Sequence, residues 1–187
     1  KSLMPSEIQA SVNLGLSKGQ HRTVFRNPRG LKRYYSFYID ASADLVYEWS
    51  SDGTTWTNSA GAVSGADTVE SFDVKMRDDA SQLIVWIAFH TPTTTKYVRG
   101  TIADASSTIS FGSVQTIDAA TVDLFAGAHC IAIARTDNGR LVVAFTEDIT
   151  AKGKTYRQTK LIGSNNTGAS PTWSGETTWN DPSGSAK

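Results

Sequence analysis

The fold is decided by the stretch Ser50-Ser51-Asp52-Gly53-Thr54-Thr55-Trp56, which directly follows the alternating run Leu45-Val46-Tyr47-Glu48-Trp49. An Asp-Gly pair between two strand-like runs predicts a hairpin, because glycine adopts positive φ without a Cβ clash. The aspartate side chain accepts hydrogen bonds from neighbouring backbone N–H groups. Trp56 then opens the returning strand, and truncating a buried tryptophan costs about 3–5 kcal/mol. The indole therefore holds the turn more firmly than a single turn hydrogen bond of about 1 kcal/mol.

The same order of strand, turn and aromatic residue occurs three times along the 187-residue chain. The first strands of the three rounds start at His21, Ser71 and His129, which lie 50 and 58 residues apart. A hydroxyl residue and an aromatic residue open the predicted fourth strand of each round, as Thr55-Trp56, Ser110-Phe111 and Thr172-Trp173. The second strand of the middle round, Leu83 to Phe89, is a nearly continuous apolar run that predicts burial on both faces.

Repeats near 50 residues with four antiparallel strands are typical of β-propeller blades. We therefore predict an all-β fold, a β-propeller of four-stranded antiparallel blades with about three blades present. The blades are 21–70, 71–128 and 129–187, the last including a polar tail, after a lead-in strand and loop at 1–20. A β-sandwich or jelly roll also has many short strands, but neither predicts the threefold recurrence. A β-solenoid needs shorter repeats.

Three blades do not close a propeller ring, which typically has about 4 to 8. We expect an incomplete ring, in which further blades come from a longer parent chain or from self-association of two copies. A compact three-repeat fold of another kind is the remaining alternative.

Composition excludes several classes of function. Lysine plus arginine equals aspartate plus glutamate at 18 each, so no global field attracts nucleic acid or an anionic membrane. No apolar run approaches the roughly 20 residues of a membrane span. The single cysteine, Cys130, lies in an apolar run, where we expect a small buried hydrophobe. Many Ser, Thr, Gly and Asn residues with few charges favour an extracellular, cell-surface or virion protein.

The Ser50–Trp56 stretch resembles the Asp-box, or BNR repeat, of sialidase-like β-propellers. The usual motif is Ser-x-Asp-x-Gly-x-Thr-Trp, and here one residue is missing between the aspartate and the glycine. The resemblance implies a structural role for the residues that match the motif, which are Ser50, Asp52, Gly53, Thr55 and Trp56. Phe111 and Trp173 occupy the same position as Trp56 in the other two rounds, and we expect the same structural role for them.

The resemblance also implies that ligand-facing groups lie on the face away from the Asp-box. They would come from the starts of the innermost strands and from the ends of the second strands. The residues at these positions are His21, Arg22, Asp40, Asp44, Asp73, His90, His129, Glu147 and Asp148. Strand ends are polar in any case because they meet water, so each residue also has a purely structural interpretation.

Sialidases of this family clamp the substrate carboxylate with three arginines and use carboxylates of separated pKa around an oxocarbenium-like transition state. Arg99 and Arg157 fall in predicted third strands, away from the channel, and Arg135 falls late in an innermost strand. The arginine set is therefore not assembled, and we predict no catalytic residues. The three histidines are isolated, so no zinc site is predicted. No cofactor is expected, although the acidic pairs Asp78-Asp79 and Glu147-Asp148 could contact calcium.

Two functions follow from this sequence. The first is a non-catalytic propeller module that binds glycans or partner proteins or serves a structural role. The alternative is a fragment of a glycoside hydrolase of the exo-sialidase type, whose catalytic set is completed by blades outside this chain.

Overall fold

The computed structural model describes residues 23–63, 68–118, 130–151 and 153–179. Within these ranges the regular secondary structure consists of β-strands without a helix. The strands are β1 (Thr23–Arg26), β2 (Tyr34–Ile39), β3 (Leu45–Ser50), β4 (Trp56–Ala62), β5 (Ser71–Asp79), β6 (Gln82–His90), β7 (Thr95–Ala103), β8 (Ser110–Phe111), β9 (Gln115–Asp118), β10 (Ile131–Arg135), β11 (Leu141–Ala151), β12 (Lys154–Ser164) and β13 (Trp173–Trp179). The prediction of an all-β fold is confirmed.

The strands form three antiparallel sheets in which each strand pairs with its neighbour in sequence. Sheet 1 is β1-β2-β3-β4, sheet 2 is β5-β6-β7-β8, and sheet 3 is β10-β11-β12-β13. In sheet 2 the fourth position is shared, because β8 pairs with the late half of β7 and β9 pairs with its early half. The sequence analysis predicts β8 but not β9. His21, Arg22 and His129 lie outside the described residues.

The three sheets pack face to face, with sheet 2 in the middle. Sheets 1 and 2 share one apolar cluster, the first interface, and sheets 2 and 3 share another, the second interface. Successive residues of β6 alternate between the two. Leu83, Val85, Ile87 and Phe89 face the first interface, and Ile84, Trp86 and Ala88 face the second. The predicted burial of this strand on both faces is confirmed, with every residue from 83 to 89 buried.

The two ends of each sheet carry different hairpins. One end has the β1–β2, β3–β4, β5–β6, β7–β8, β10–β11 and β12–β13 turns, and we call it the motif end because it contains the Ser50–Trp56 turn. The other end has the β2–β3, β6–β7 and β11–β12 turns, and we call it the opposite end.

A clamp at the motif end ties sheet 1 to sheet 2. The guanidinium of Arg29 donates to both carboxylate oxygens of Asp104, from Nε at 3.2 Å and from Nη2 at 3.1 Å. It also donates from Nη1 to Asp78 at 3.1 Å. The Leu31 N–H donates to the Asp104 carbonyl at 3.1 Å. Gly30 has φ +51, and a Cβ there would overlap that carbonyl oxygen, so only glycine fits this approach.

Two expectations from the sequence are wrong. Cys130 is exposed, because it precedes β10 instead of lying within the packed strand. The sequence predicts that the second strand of the third round ends at Glu147 and Asp148, but β11 continues to Ala151. Glu147 and Asp148 therefore lie inside a strand and are buried, not at a strand end that meets water.

Candidate functional site

A buried polar cluster lies in the second interface, towards the opposite end. It consists of Asp118, Glu147, Gln158 and Lys160. The Lys160 ammonium is 3.2 Å from Asp118 Oδ2 and 2.9 Å from Glu147 Oε1. The Gln158 amide donates to the same Glu147 oxygen. The side chains of Asp118 and Lys160 are each 10% exposed and that of Glu147 is 4% exposed, so this is a buried charge cluster.

Strand alternation explains how these residues come together. Leu141, Val143 and Phe145 face sheet 2 from β11, and Glu147 is the next residue on that face. Gln158 pairs with Glu147 in register, and Lys160 pairs with Phe145, so both β12 residues share that face. Sheet 3 thus presents apolar residues towards the motif end and polar ones towards the opposite end.

The electrostatics of the cluster favour a structural role. A buried charge is tolerated when an opposite charge and hydrogen bonds replace its water. Here one ammonium bridges two carboxylates that come from different sheets, Asp118 from sheet 2 and Glu147 from sheet 3. The cluster therefore joins the two sheets by charge where the apolar contacts end.

His90 lies in the same interface. It is 0% exposed, and its Nδ1 is 3.2 Å from the Thr95 hydroxyl, also 0% exposed. Thr95 is the strand partner of both His90 and Asp118. The structure thus brings two predicted site residues, His90 and Glu147, into one interface, on facing sheets. Lys160, Gln158 and Asp118 are the partners that sequence analysis did not identify.

Asp148 points to the other face of sheet 3. Its side chain is 0% exposed, and it accepts hydrogen bonds from Arg157 Nε at 2.9 Å and Arg157 Nη2 at 3.3 Å. The two residues are strand partners across the β11–β12 hairpin. This pair is a forked, charge-assisted contact that stabilises the hairpin.

Asp73 joins the first strands of sheets 2 and 3, β5 and β10. Its Oδ2 accepts the Ile133 N–H at 2.9 Å, and its Oδ1 accepts the Val74 N–H at 2.8 Å. Lys75 Nζ lies 3.6 Å from the same carboxylate. Both oxygens are thus engaged by the protein.

Asp40 and Asp44 form the β2–β3 turn at the opposite end. Asp40 Oδ1 accepts the N–H groups of Ser42 and Asp44, each at 2.9 Å, which is an Asx-type turn. The Asp44 side chain is half-buried at the tip of sheet 1.

The Ser50–Trp56 turn has the hydrogen bonds expected from its sequence. Asp52 Oδ1 accepts the N–H groups of Thr54 and Thr55, both at 2.8 Å, and the Ser50 hydroxyl at 2.9 Å. Ser50 Oγ accepts the Gly53 N–H at 2.9 Å, and Gly53 has φ +78. The backbone N–H bonds to Thr55 and Thr54, and then the Ser50 hydroxyl, hold the pKa of the Asp52 carboxyl well below its usual range.

The three aromatic residues lie in equivalent fourth strands. Trp56 starts β4 and Trp173 starts β13, whereas Phe111 is the second and last residue of β8. Phe111 packs edge-on against Tyr47 of sheet 1, with ring centroids 5.9 Å apart. Trp173 packs edge-on against Tyr97 of sheet 2, with ring centroids 5.2 Å apart. In both interfaces, an aromatic of one sheet contacts a third-strand tyrosine of the preceding sheet.

The hydroxyls of both tyrosines also form hydrogen bonds to the backbone of the following sheet. Tyr47 accepts the Ile109 N–H at 3.0 Å, and Tyr97 donates to the Gly168 carbonyl at 3.0 Å. Ile109 and Gly168 both precede the fourth strand of the following sheet. The contact therefore joins the same elements of successive sheets twice.

Comparisons with protein-family models, curated proteins and solved structures give no match for this chain. The resemblance to the Asp-box family thus stands on the residues of the turn and on the repeat. Among the described residues no three His, Cys, Asp or Glu side chains are grouped to hold a metal ion. Nor does that part of the chain contain a helix long and apolar enough to cross a membrane.

Proposed function

We propose that this chain is a non-catalytic, propeller-type module of an extracellular, cell-surface or virion protein, and that it binds glycans through loops at the opposite end. The observation that carries the proposal is the repeated contact between successive sheets, Tyr47 with Phe111 and Tyr97 with Trp173. Blades of a propeller contact only their neighbours. A contact that recurs between the same elements supports that arrangement.

The outer face of sheet 3 supports the presence of a further sheet. Leu161 stands in β12 where Tyr47 stands in β3 and Tyr97 in β7, three residues before the strand partner of the fourth-strand aromatic. It is half-buried on the outer face, beside Val142 and Ala144. In the proposed ring, a following sheet from a longer chain or a second copy covers this face.

The partners of three carboxylates, Asp73, Glu147 and Asp148, support a binding role over a catalytic one. Glycosidases need one carboxyl group as acid and another as nucleophile or base, both facing the substrate. Here Glu147 is buried against Lys160, Asp148 against Arg157, and Asp73 holds the Ile133 N–H. These three carboxylates have structural partners.

A glycan array with neutral and acidic saccharides tests the proposal. We expect at least one saccharide to bind, with weaker binding for Asp44→Asn, which changes the opposite end only. Asp137→Asn, an exposed aspartate in the β10–β11 turn at the motif end, is the matched control and should bind as the unchanged protein does. A folded protein that binds no saccharide would contradict glycan binding and leave a role in protein contacts.

A hydrolysis assay and a mass measurement test the rest of the proposal. The protein should release no product from a fluorogenic sialoside and arabinoside panel, and turnover would contradict the non-catalytic role. Light scattering after size-exclusion chromatography should give the mass of two or more copies if a second copy covers the outer face of sheet 3. If the chain is instead a monomer, its free energy of unfolding should rise when it is joined to further sheets of a longer parent protein. A stable monomer unaffected by them would contradict the ring.

A further inference from the structure

A cleft of about 440 Å³ opens between the β5 edge of sheet 2 and the β10 edge of sheet 3, at the motif end. It lies on the other side of the interface from the buried polar cluster. Its lining comes from β5, β6 and β10 and consists of Lys75, Met76, Arg77, Trp86, Ala134 and Arg135.

Strand register brings three cations to this cleft. Lys75 pairs with Trp86 and Arg77 with Ile84, and both partners face sheet 3. Lys75 and Arg77 are therefore on that face too. Arg135 is two residues beyond Ile133, which faces sheet 2, so its side chain approaches from the other wall. Positive groups from two sheets thus converge at one opening.

The three cations differ in how they are neutralised. The Lys75 ammonium is 3.6 Å from the Asp73 carboxylate. Arg77 and Arg135 are exposed, and among the described residues neither makes a hydrogen bond or an ion pair through its guanidinium. Asp78, next to Arg77 in sequence, is held by Arg29 in the clamp between sheets 1 and 2. Asp79 and Asp137 lie near these arginines in sequence, but within the described residues neither guanidinium is held in an ion pair, so both can bind a ligand.

The floor of the cleft is the buried indole of Trp86. Trp86 is 1% exposed, and its indole N–H donates to the Thr167 carbonyl of sheet 3 at 3.2 Å. An apolar floor below exposed guanidinium groups excludes water from one side of a bound ligand. Guanidinium forks bind carboxylate, phosphate and sulfate through pairs of charge-assisted hydrogen bonds.

We propose that this cleft is an anion-binding site for a small ligand with a carboxylate, phosphate or sulfate group. Arg77 and Arg135 bind the oxyanion from opposite walls, and Lys75 adds a third positive group. The site is at the motif end, so it is separate from the glycan-binding loops proposed above and does not depend on them.

Titration calorimetry at low salt with inorganic phosphate, sulfate and glucuronate tests the proposal, with methyl glucoside as the uncharged comparison. We expect at least one of the three anions to bind and methyl glucoside to give no heat. Binding of glucuronate would identify an acidic saccharide as the source of the anion, and binding of phosphate or sulfate alone would identify the free anion. A protein that binds none of the three overturns the proposal.

The double variant Arg77→Gln/Arg135→Gln should weaken binding about tenfold or more, as expected for the loss of hydrogen bonds to charged groups. Arg140→Gln is the matched control, because Arg140 is an exposed arginine in the same β10–β11 hairpin as Arg135 but on the outer face of sheet 3. It should bind as the unchanged protein does. Equal binding by the double variant would overturn the proposal.

The indole N–H signal of Trp86 gives a second measurement that does not depend on a variant. It should shift during the anion titration of the unchanged protein, because the ring forms the floor of the cleft. An anion that binds without moving this signal binds elsewhere, and the assignment of the cleft is then wrong.

Discussion

The two interfaces of sheet 2 are joined by different means. The first contains a run of aromatic rings, with Phe25 stacked on Tyr35 and Phe37 at centroid distances of 5.4 and 5.8 Å. At the motif end it also contains the partly exposed Arg29 clamp. The second is apolar in part and then becomes a buried charge cluster around Lys160. The first interface is thus packed by apolar and aromatic side chains with a partly exposed ion pair at one end, whereas the second contains a buried charge cluster.

The difference identifies which contacts repeat and which are particular to one interface. The tyrosine contacts occur in both interfaces, as Tyr47 with Phe111 and Tyr97 with Trp173. The Lys160 cluster lies in the second interface. We therefore treat the tyrosine contact as the property of the repeat and the cluster as an addition to it.

Removing one ring from each interface should have the largest effect. Phe37→Ala and Phe145→Ala each delete a side chain that is 0–1% exposed, and each should lower the free energy of unfolding by about 3–5 kcal/mol. Urea unfolding followed by fluorescence measures the loss. Val24→Ala, at a position 47% exposed, is the control and should change stability by less than about 0.5 kcal/mol. A small loss for either phenylalanine would show that its interface is not packed as described.

Lys160→Met breaks the feature that distinguishes the second interface. It leaves the Asp118 and Glu147 carboxylates buried without their shared cation, so we expect a loss of about 3 kcal/mol. The triple variant Asp118→Asn/Glu147→Gln/Lys160→Met removes all three charges and should regain much of that stability. If the triple variant is no more stable than the single one, the cost does not come from uncompensated charge.

Gly30→Ala tests the clamp of the first interface. The new Cβ meets the Asp104 carbonyl oxygen, and φ at this residue is +51. Gly153→Ala is the matched control, since it has φ +72 and nothing within 4 Å of the added Cβ. The control should lose about 1–2 kcal/mol from the left-handed backbone alone, and Gly30→Ala should lose more. Equal losses would show that the turn does not dock on sheet 2.

The buried phenol of Tyr35 in the first interface should make stability depend on pH at high pH, an effect smaller than those above. Burial, and then the charge of Tyr47, raises the pKa of Tyr35 from 10.0 to about 12. The folded state therefore favours the neutral phenol, so its contribution is complete below pH 10 and is lost as pH rises towards 12. Unfolding midpoints measured from pH 9 to 12 should fall less steeply in Tyr35→Phe. An unchanged slope would show that the Tyr35 phenol is accessible to water.

The sequence was sufficient for the local part of the fold. The Ser50–Trp56 turn follows from residue chemistry, because Asp-Gly specifies both the backbone angle and the hydrogen-bond acceptor. The burial of β6 follows from its unbroken apolar run. The match of the turn itself to an Asp-box is a local signal of the same kind. Each of them depends on residues that are close in the chain.

The partners of the candidate site were not predictable in the same way. Asp118 and Lys160 are 42 residues apart and in different sheets, so their contact depends on how the sheets stack. Asp148 and Arg157 are strand partners, but the pairing follows only from the bounds of the long β11–β12 hairpin. With Glu147 and Asp148 predicted at the end of a strand, both side chains would meet water, and no buried partner is expected for either.

Nuclear Overhauser contacts between selectively labelled aromatic rings test the stacking of the sheets most directly. We predict cross-peaks between Tyr47 and Phe111 and between Tyr97 and Trp173, whose ring centroids are 5.9 and 5.2 Å apart. A folded protein in which both cross-peaks are missing would contradict the repeated contact between successive sheets and, with it, the proposed propeller-type arrangement.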